Sequence, residues 1–169
     1  MFAINSVSPL AIGAFLAVAA SSPLFAKDDG KLPENAVAMT SEQVKQWVSG
    51  HSIDWRPTST YYFAQDGSVT GYFFGNDKFK PGFADGTWTV DGNEMCLNVT
   101  FHGEQKEKPY QYSNCNQFFK AKNIVWSKRT KSTDEDQYIG DIGTDWSKKL
   151  KAGDIVSAKA NALKKKLGY

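Results

Sequence analysis

Apolar and polar residues alternate through most of the chain between His51 and Ile142, and turn-forming pairs interrupt the alternation at short intervals. The clearest stretch runs from Gly86 to Phe119. Met95, Leu97, Val99 and Phe101 alternate there with Glu94, Cys96, Asn98 and Thr100, the period of a half-buried strand. Asp91-Gly92 has the composition of a two-residue type I′ hairpin turn, whose central positions both need positive φ. Closing the ladder on that pair sets Trp88 opposite Met95 and Thr87 opposite Cys96. A bond between Cys96 and Cys115 across adjacent antiparallel strands sets Val99 opposite Tyr112 and Phe101 opposite Tyr110. An eight-residue loop from His102 to Pro109 then joins the two strands. This register gathers the apolar side chains on one face and both cysteines on the other, so alternation and cysteine pairing agree.

The flanking segments read the same way. His51–Trp55 is a short strand stopped by Pro57. Tyr61–Gln65 and Ser68–Phe74 flank Asp66-Gly67, a second two-residue turn that sets Tyr61 beside Tyr72 and Ala64 beside Val69. Aromatic residues lie on both faces of the Tyr61–Phe74 hairpin, and the alternation does not choose which face is inward. Phe83–Val90 enters the central hairpin, Ile124–Trp126 is a further strand, residues 129–136 form a charged loop, and Tyr138–Ile142 is a last edge strand. Seven or eight short strands joined by tight turns predict a mainly β fold, an antiparallel meander forming a small barrel or a strongly bent sheet. Two helices accompany it. Thr40 and Gln43 make a capping box for a helix over 41–48, with Val44, Trp47 and Val48 as its apolar stripe and Gly50 just past its end. Trp47 is then the plug of the sheet. Near the C-terminus, Asp154 caps a helix in which Val156, Ala160, Leu163 and Leu167 share a face.

The N-terminal segment departs from this pattern. Pro9–Ala20 is a short apolar run, followed by Ser21, Ser22 and Pro23, then Ala26 before Lys27-Asp28-Asp29. This is the form of a secretory signal peptide over residues 1–26, cleaved after about Ala26. A flexible leader over 27–39 follows, then a β-barrel-like domain over 40–143 and a basic helical tail over 144–169. The mature chain of about 143 residues makes one domain. Its net charge of +2 argues against nucleic acid as a partner. Two cysteines in an exported protein read as one disulfide, Cys96–Cys115, contributing roughly 3 kcal/mol by the chain-entropy argument. The expected location is periplasmic or secreted.

Candidate chemistry is sparse. His51 and His102 sit on different elements without an acidic partner at fixed spacing, so no metal site is expected. No nucleophile elbow, zinc-protease, phosphate-loop or dinucleotide pattern occurs, and neither a catalytic residue nor a cofactor is assigned. Asn98-Val99-Thr100 fits a glycosylation sequon, relevant only in a eukaryotic secretory pathway. Lys164, Lys165 and Lys166 crowd the last helical turn, where cations complement the helix dipole; contact with an anionic membrane surface is the sharper alternative. The five Trp, seven Tyr and eleven Phe mostly fall in the predicted strands. Core filling accounts for such residues in a small barrel, and a surplus on both faces would line a pocket. Tyr61, Tyr72, Trp88, Tyr110, Tyr112 and Trp126 are the ligand-binding candidates.

The segments W-V-S-G-H-S, Y-Y-F-A-Q-D-G-S, G-T-W-T-V-D-G-N-E-M-C-L and Y-S-N-C, behind an exported leader, resemble a family of small secreted bacterial proteins catalogued as domain of unknown function nine-nine-five. The likeness covers roughly Thr40 to Gly143. It implies export from a Gram-negative cell and a disulfide, and it supplies no catalytic residues. Gly86–Trp88 also resembles the G-x-W of lipocalins, which there belongs to the first strand; that likeness is one of architecture. The expectation is an exported binding module, not an enzyme, for a small apolar molecule or a cell-envelope partner. The alternatives are an envelope-directed hydrolase using His51, Asp54 and His102, and a surface protein acting through its lysine-rich tail.

Overall fold

Alternating segments pair as antiparallel ladders in the computed structural model, which describes residues 30–75, 80–103, 109–134 and 137–169. The proposed signal peptide lies outside the described residues. In chain order the elements are β1 (Val37–Ala38), α1 (Ser41–Val48), β2 (His51–Trp55), β3 (Ser59–Phe63), β4 (Ser68–Phe73), β5 (Gly82–Asp91) and β6 (Glu94–Gly103). They continue with β7 (Tyr110–Ala121), β8 (Ile124–Ser132), β9 (Ile142–Gly143), α2 (Asp145–Lys149), β10 (Leu150–Ala152) and α3 (Ser157–Leu167). One antiparallel sheet runs β10-β2-β3-β4-β5-β6-β7-β8-β9, with β1 added to β7, and it curls into a half-barrel.

Residues opposite each other on paired strands share a face, so the register sorts the side chains. Ile53, Tyr61, Gly71, Ala84, Phe101 and Tyr110 form one concave row. Asp54, Thr60, Tyr72, Phe83 and His102 form a convex one. The concave face holds the main core, in which Phe63, Phe118 and Met95 are fully buried. α1 closes one side of it with Val44 and Val48, and Thr40 and Gln43 form the predicted capping box. Trp47 packs edge-on to Phe118 at 5.3 Å, but the larger plug is Trp146 of α2. Its ring sits 5.2 Å from Phe118, 5.9 Å from Phe63 and 6.2 Å from Trp55.

The predicted register of β6 and β7 is the one observed, with Cys96 opposite Cys115, Val99 opposite Tyr112 and Phe101 opposite Tyr110. Cys96 and Cys115 are joined by a disulfide on the convex face. Both flanking hairpins differ from expectation. The β5–β6 loop is Gly92-Asn93, so Trp88 faces Leu97 and Thr89 faces Cys96. Gly92 has φ +57° and Asn93 has no positive φ, the pattern of a type II′ turn with glycine leading. Ala64 N–H donates to the Ser68 carbonyl, so the β3–β4 ladder closes over a three-residue turn, Gln65–Gly67, which pairs Phe63 with Val69 and Tyr61 with Gly71. Tyr61 and Tyr72 are therefore not neighbours. An odd shift in register moves a strand's side chains to the opposite face, and Tyr72 lies on the convex side.

Two segments set aside as accessory belong to the sheet. In the leader, Val37 and Ala38 pair with Lys120 and Phe119, and Met39 is buried. In the tail, Leu150, Lys151 and Ala152 pair with Ile53, Ser52 and His51, so β10 is an edge strand of the half-barrel. The expected strand over Tyr138–Ile142 is reduced to Ile142–Gly143, while β8 continues to Ser132 through part of the expected charged loop. α3 straps the convex face against β4 and β5. Asp154 Oδ1 accepts the Val156 and Ser157 amides at its start, and Val156 and Ala160 are buried beneath it. Among the described residues no helix is long and apolar enough to cross a membrane.

Candidate ligand cleft

The concave face is not filled along its whole length. Between β2–β4 on one wall and β6–β8 on the other lies a cleft of about 610 Å³, within the usual range of small-molecule sites. Ile53, Trp55, Phe63, Met95, Leu97 and Trp146 line its apolar part. A second aromatic group leads toward solvent. Phe73 meets Phe101 edge-on at 4.3 Å, Tyr61 meets Phe73 at 6.2 Å, and Tyr110 stacks on Phe101 at 6.0 Å. Tyr110 is 53 % exposed and stands at the mouth.

The β7–β8 side is polar. Gln137 Oε1 accepts from Tyr112 Oη at 3.1 Å, Asn114 Nδ2 at 2.8 Å and Ser132 Oγ at 3.2 Å. Gln137 Nε2 donates to Asp134 Oδ2, and Asn116 Nδ2 donates to Asn114 Oδ1. A β-bulge builds this side. Cys115 pairs with Lys131 but Asn116 pairs with Arg129, leaving Thr130 as the extra residue. Residues three apart on a regular strand face opposite sides. The bulge lets both Arg129 and Ser132 face the cleft, opposite Asn116 and Asn114. Arg129 Nη1 donates to Asp141 Oδ2 at 3.3 Å and to the Tyr138 carbonyl at 3.4 Å. Its Nε is buried and has no hydrogen-bond partner among the described residues.

Burial dominates the titration of the tyrosines here. It raises the Tyr61 hydroxyl above its ordinary range, with the nearby Tyr112 adding to the shift and Ser59 opposing it. Burial likewise raises Tyr112, against the hydrogen bonds of Gln137, Asn114 and Ser132. Both hydroxyls are neutral at physiological pH.

Of the six aromatic candidates, Tyr61, Tyr110 and Tyr112 line the cleft. The other three do not. Tyr72 is on the convex face, edge-on to Phe74 at 5.1 Å. Trp88 is core, packing on Phe63 at 6.1 Å and donating Nε1–H to the Ala64 carbonyl. Trp126, opposite Phe119, is buried on the outward side of β8. Sequence reasoning missed Trp55, Phe73, Phe101 and Trp146, and the polar set Asn114, Asn116, Arg129, Asp134 and Gln137. Alternation with Tyr61 and Tyr112 marks Phe73 and Asn114 only once the register is known.

His51, Asp54 and His102 are not brought together. His51 lies on the concave face, opposite Phe63, its Nδ1 2.9 Å from the Ser49 carbonyl. Asp54 and His102 are convex, with β3, β4 and β5 between them, a span of roughly 19 Å at the usual strand spacing. Asp54 is engaged by Arg56, whose hydrogen bonds hold its carboxyl at about 2. His102 stacks on Phe83 at 4.8 Å beneath Tyr169. Glu94 lies beside Cys96 and Cys115, but the two sulfurs are bonded to each other and are not available as thiolate ligands. On α3, Lys164 Nζ reaches Asp85 Oδ1 at 2.6 Å and lies over the Phe83 ring, while Lys165 and Lys166 are exposed.

Neither a curated protein nor a solved structure matches the chain. The model of a family described as protein of unknown function (DUF995) matches residues 14–153, which include every strand of the half-barrel and every residue of the cleft, and the chain belongs to that family.

Proposed function

We propose that this is an exported, disulfide-linked binding module that takes a small, largely apolar ligand into the concave side of its half-barrel. The observation that carries the proposal is the cleft itself: about 610 Å³, walled by aromatic and aliphatic side chains, with most of its polar groups on the β7–β8 side. Such an arrangement buries an apolar body and orients it by a few polar contacts. Export rests on the apolar leader with Ala26 before the charged run and on a disulfide, which persists in oxidising compartments. The hydrolase alternative loses its named constellation, because His51 and the Asp54–His102 row occupy opposite faces. The surface-protein alternative has one lysine of its tail already engaged with Asp85.

The test is native mass spectrometry of the mature protein purified from the exported fraction. The expected spectrum starts at Lys27, is two hydrogens light for the disulfide, and carries an additional apolar mass. A bare protein that also takes up nothing from an organic extract of the producing cells refutes the binding reading.

A further inference from the structure

We infer that the ligand of this cleft carries a neutral hydroxyl on its apolar body and donates it to Asn116 Oδ1. The inference rests on reading the cleft as a ligand site and names the group that such a ligand brings into it.

The first observation is a run of side chains with one fixed polarity. A carboxylate only accepts, so Asp134 Oδ2 takes Gln137 Nε2–H and turns Gln137 Oε1 toward Asn114. The Tyr112 and Ser132 hydroxyls donate to the same oxygen. Asn114 Nδ2 also donates to it, which leaves Asn114 Oδ1 to accept Asn116 Nδ2. Each amide is thereby oriented, and the run ends on Asn116 Oδ1. That oxygen takes no donor among the described residues. The buried side-chain nitrogens and oxygens without a partner are, among the described residues, His102 Nδ1, Arg129 Nε and Thr130 Oγ1. Asn116 Oδ1 is not one of them, so a water-sized group reaches it, and the cleft that Asn116 lines is the way in.

The second observation is where that oxygen sits. Along β7 the concave residues run from Tyr110 at the mouth through Tyr112 and Asn114 to Asn116, and the next is Phe118, fully buried in the core. Met95, also fully buried, lies opposite Asn116 on β6. Asn116 is itself only 5 % exposed. An acceptor set among apolar side chains is costly to cover unless the covering group donates to it. A ligand that brings only a carbonyl or ether oxygen displaces hydration and returns no hydrogen bond. An ammonium donates, but one amide oxygen does not replace its hydration. A neutral hydroxyl costs less to desolvate and carries one proton to give.

The experiment measures 2-naphthol, 2-methylnaphthalene and 2-naphthaldehyde, which share one ring body, by equilibrium dialysis against the full mature protein and its Asn116→Leu variant. 2-Naphthol donates, 2-naphthaldehyde only accepts, and the hydrocarbon does neither. Their solubilities in water differ, so the decisive quantity is how each affinity, relative to the hydrocarbon, changes between the two proteins. A hydrogen bond between neutral groups corresponds to a change of about three- to tenfold. We expect 2-naphthol to lose that factor in Asn116→Leu and 2-naphthaldehyde to lose nothing. A 2-naphthol ratio that does not fall, or a 2-naphthaldehyde ratio that falls as far, overturns the inference and leaves the binding site standing. Failure of all three to bind also overturns it; an apolar mass still carried by the protein in the native spectrum then separates that result from loss of the site itself. Should Asn116→Leu not fold, the wild type decides the matter. The affinity ratio of 2-naphthol to 2-methylnaphthalene is compared with the ratio of their partition coefficients from water into cyclohexane, where the hydroxyl finds no partner. An excess of at least about tenfold in the protein is expected, and equal ratios refute the contact.

Discussion

Replacing Trp146 by alanine tests how the half-barrel is filled. The side chain comes from α2, outside the run of consecutive hairpins, yet it is only 8 % exposed. Phe118, Phe63, Trp55 and Trp47 surround it at ring separations from 5.2 to 6.5 Å. Truncating a buried tryptophan to alanine costs about 3–5 kcal/mol, through the lost transfer free energy and the cavity left behind. The vacated space adjoins the cleft that Trp146 already lines, so water can enter it and the cavity share shrinks. The expected loss is therefore near the lower end, about 3 kcal/mol. A domain with a total stability of about 5–15 kcal/mol stays folded after such a loss. Urea unfolding followed by circular dichroism measures it: with a slope of about 2 kcal/mol per molar, the midpoint falls by about 1.5 M at unchanged slope. Trp146→Phe keeps one ring in the cage and should lose less than half as much. A loss below about 1 kcal/mol for the alanine variant would refute the reasoning, because α2 would then be an ornament on the sheet and not its plug.

Other expectations follow from single contacts. Replacing both Cys96 and Cys115 by serine removes a cross-link spanning 19 residues and should lower stability by roughly 3 kcal/mol; reduced wild type and the double variant unfolding at the same midpoint is the check. Gly86→Ala should prevent β5 and β6 from pairing, since a Cβ there would meet the Asn98 carbonyl oxygen and Val99 Cα, both backbone atoms. A soluble Gly86→Ala protein with an unshifted melting temperature contradicts that geometry. Arg56 lowers the Asp54 carboxyl from 3.8 to about 2, so the folded value lies below the unfolded one. The stabilisation from this pair is present above about pH 4 and lost as pH falls toward 2. The Arg56 side chain is 62 % exposed, which keeps the effect small. Asp54→Asn should lose less stability than wild type between those pH values, and parallel acid-unfolding curves would count against the assignment.

Local rules accounted for a well-defined part of this protein. Alternation from Glu94 to Phe101, joined to the pairing of Cys96 with Cys115, was enough to place β6 against β7, because a cross-strand disulfide and an amphipathic period admit one common register. The capping box at Thr40 and Gln43 formed as its residue types require. The mainly β, bent-sheet architecture was legible for the same reason: strand period and turn chemistry are properties of neighbouring residues; the family likeness rests instead on particular motifs such as Y-Y-F-A-Q-D-G-S and Y-S-N-C. Which side chains face the cleft was not. Tyr61 and Tyr72 were separated by a loop of three residues where Asp66-Gly67 suggested two, and a change of one reverses a face. Arg129 and Ser132 point the same way only because a bulge at Thr130 breaks the alternation, an event set by the fit of β8 against β7. Trp146 and β10 complete the half-barrel from a stretch that reads as a basic helical tail, since Lys151 finds Ser52 some hundred residues away. Period and turn type are written in nearest neighbours; parity, bulges and closure depend on strands meeting across the whole chain, and those decided where the cleft is.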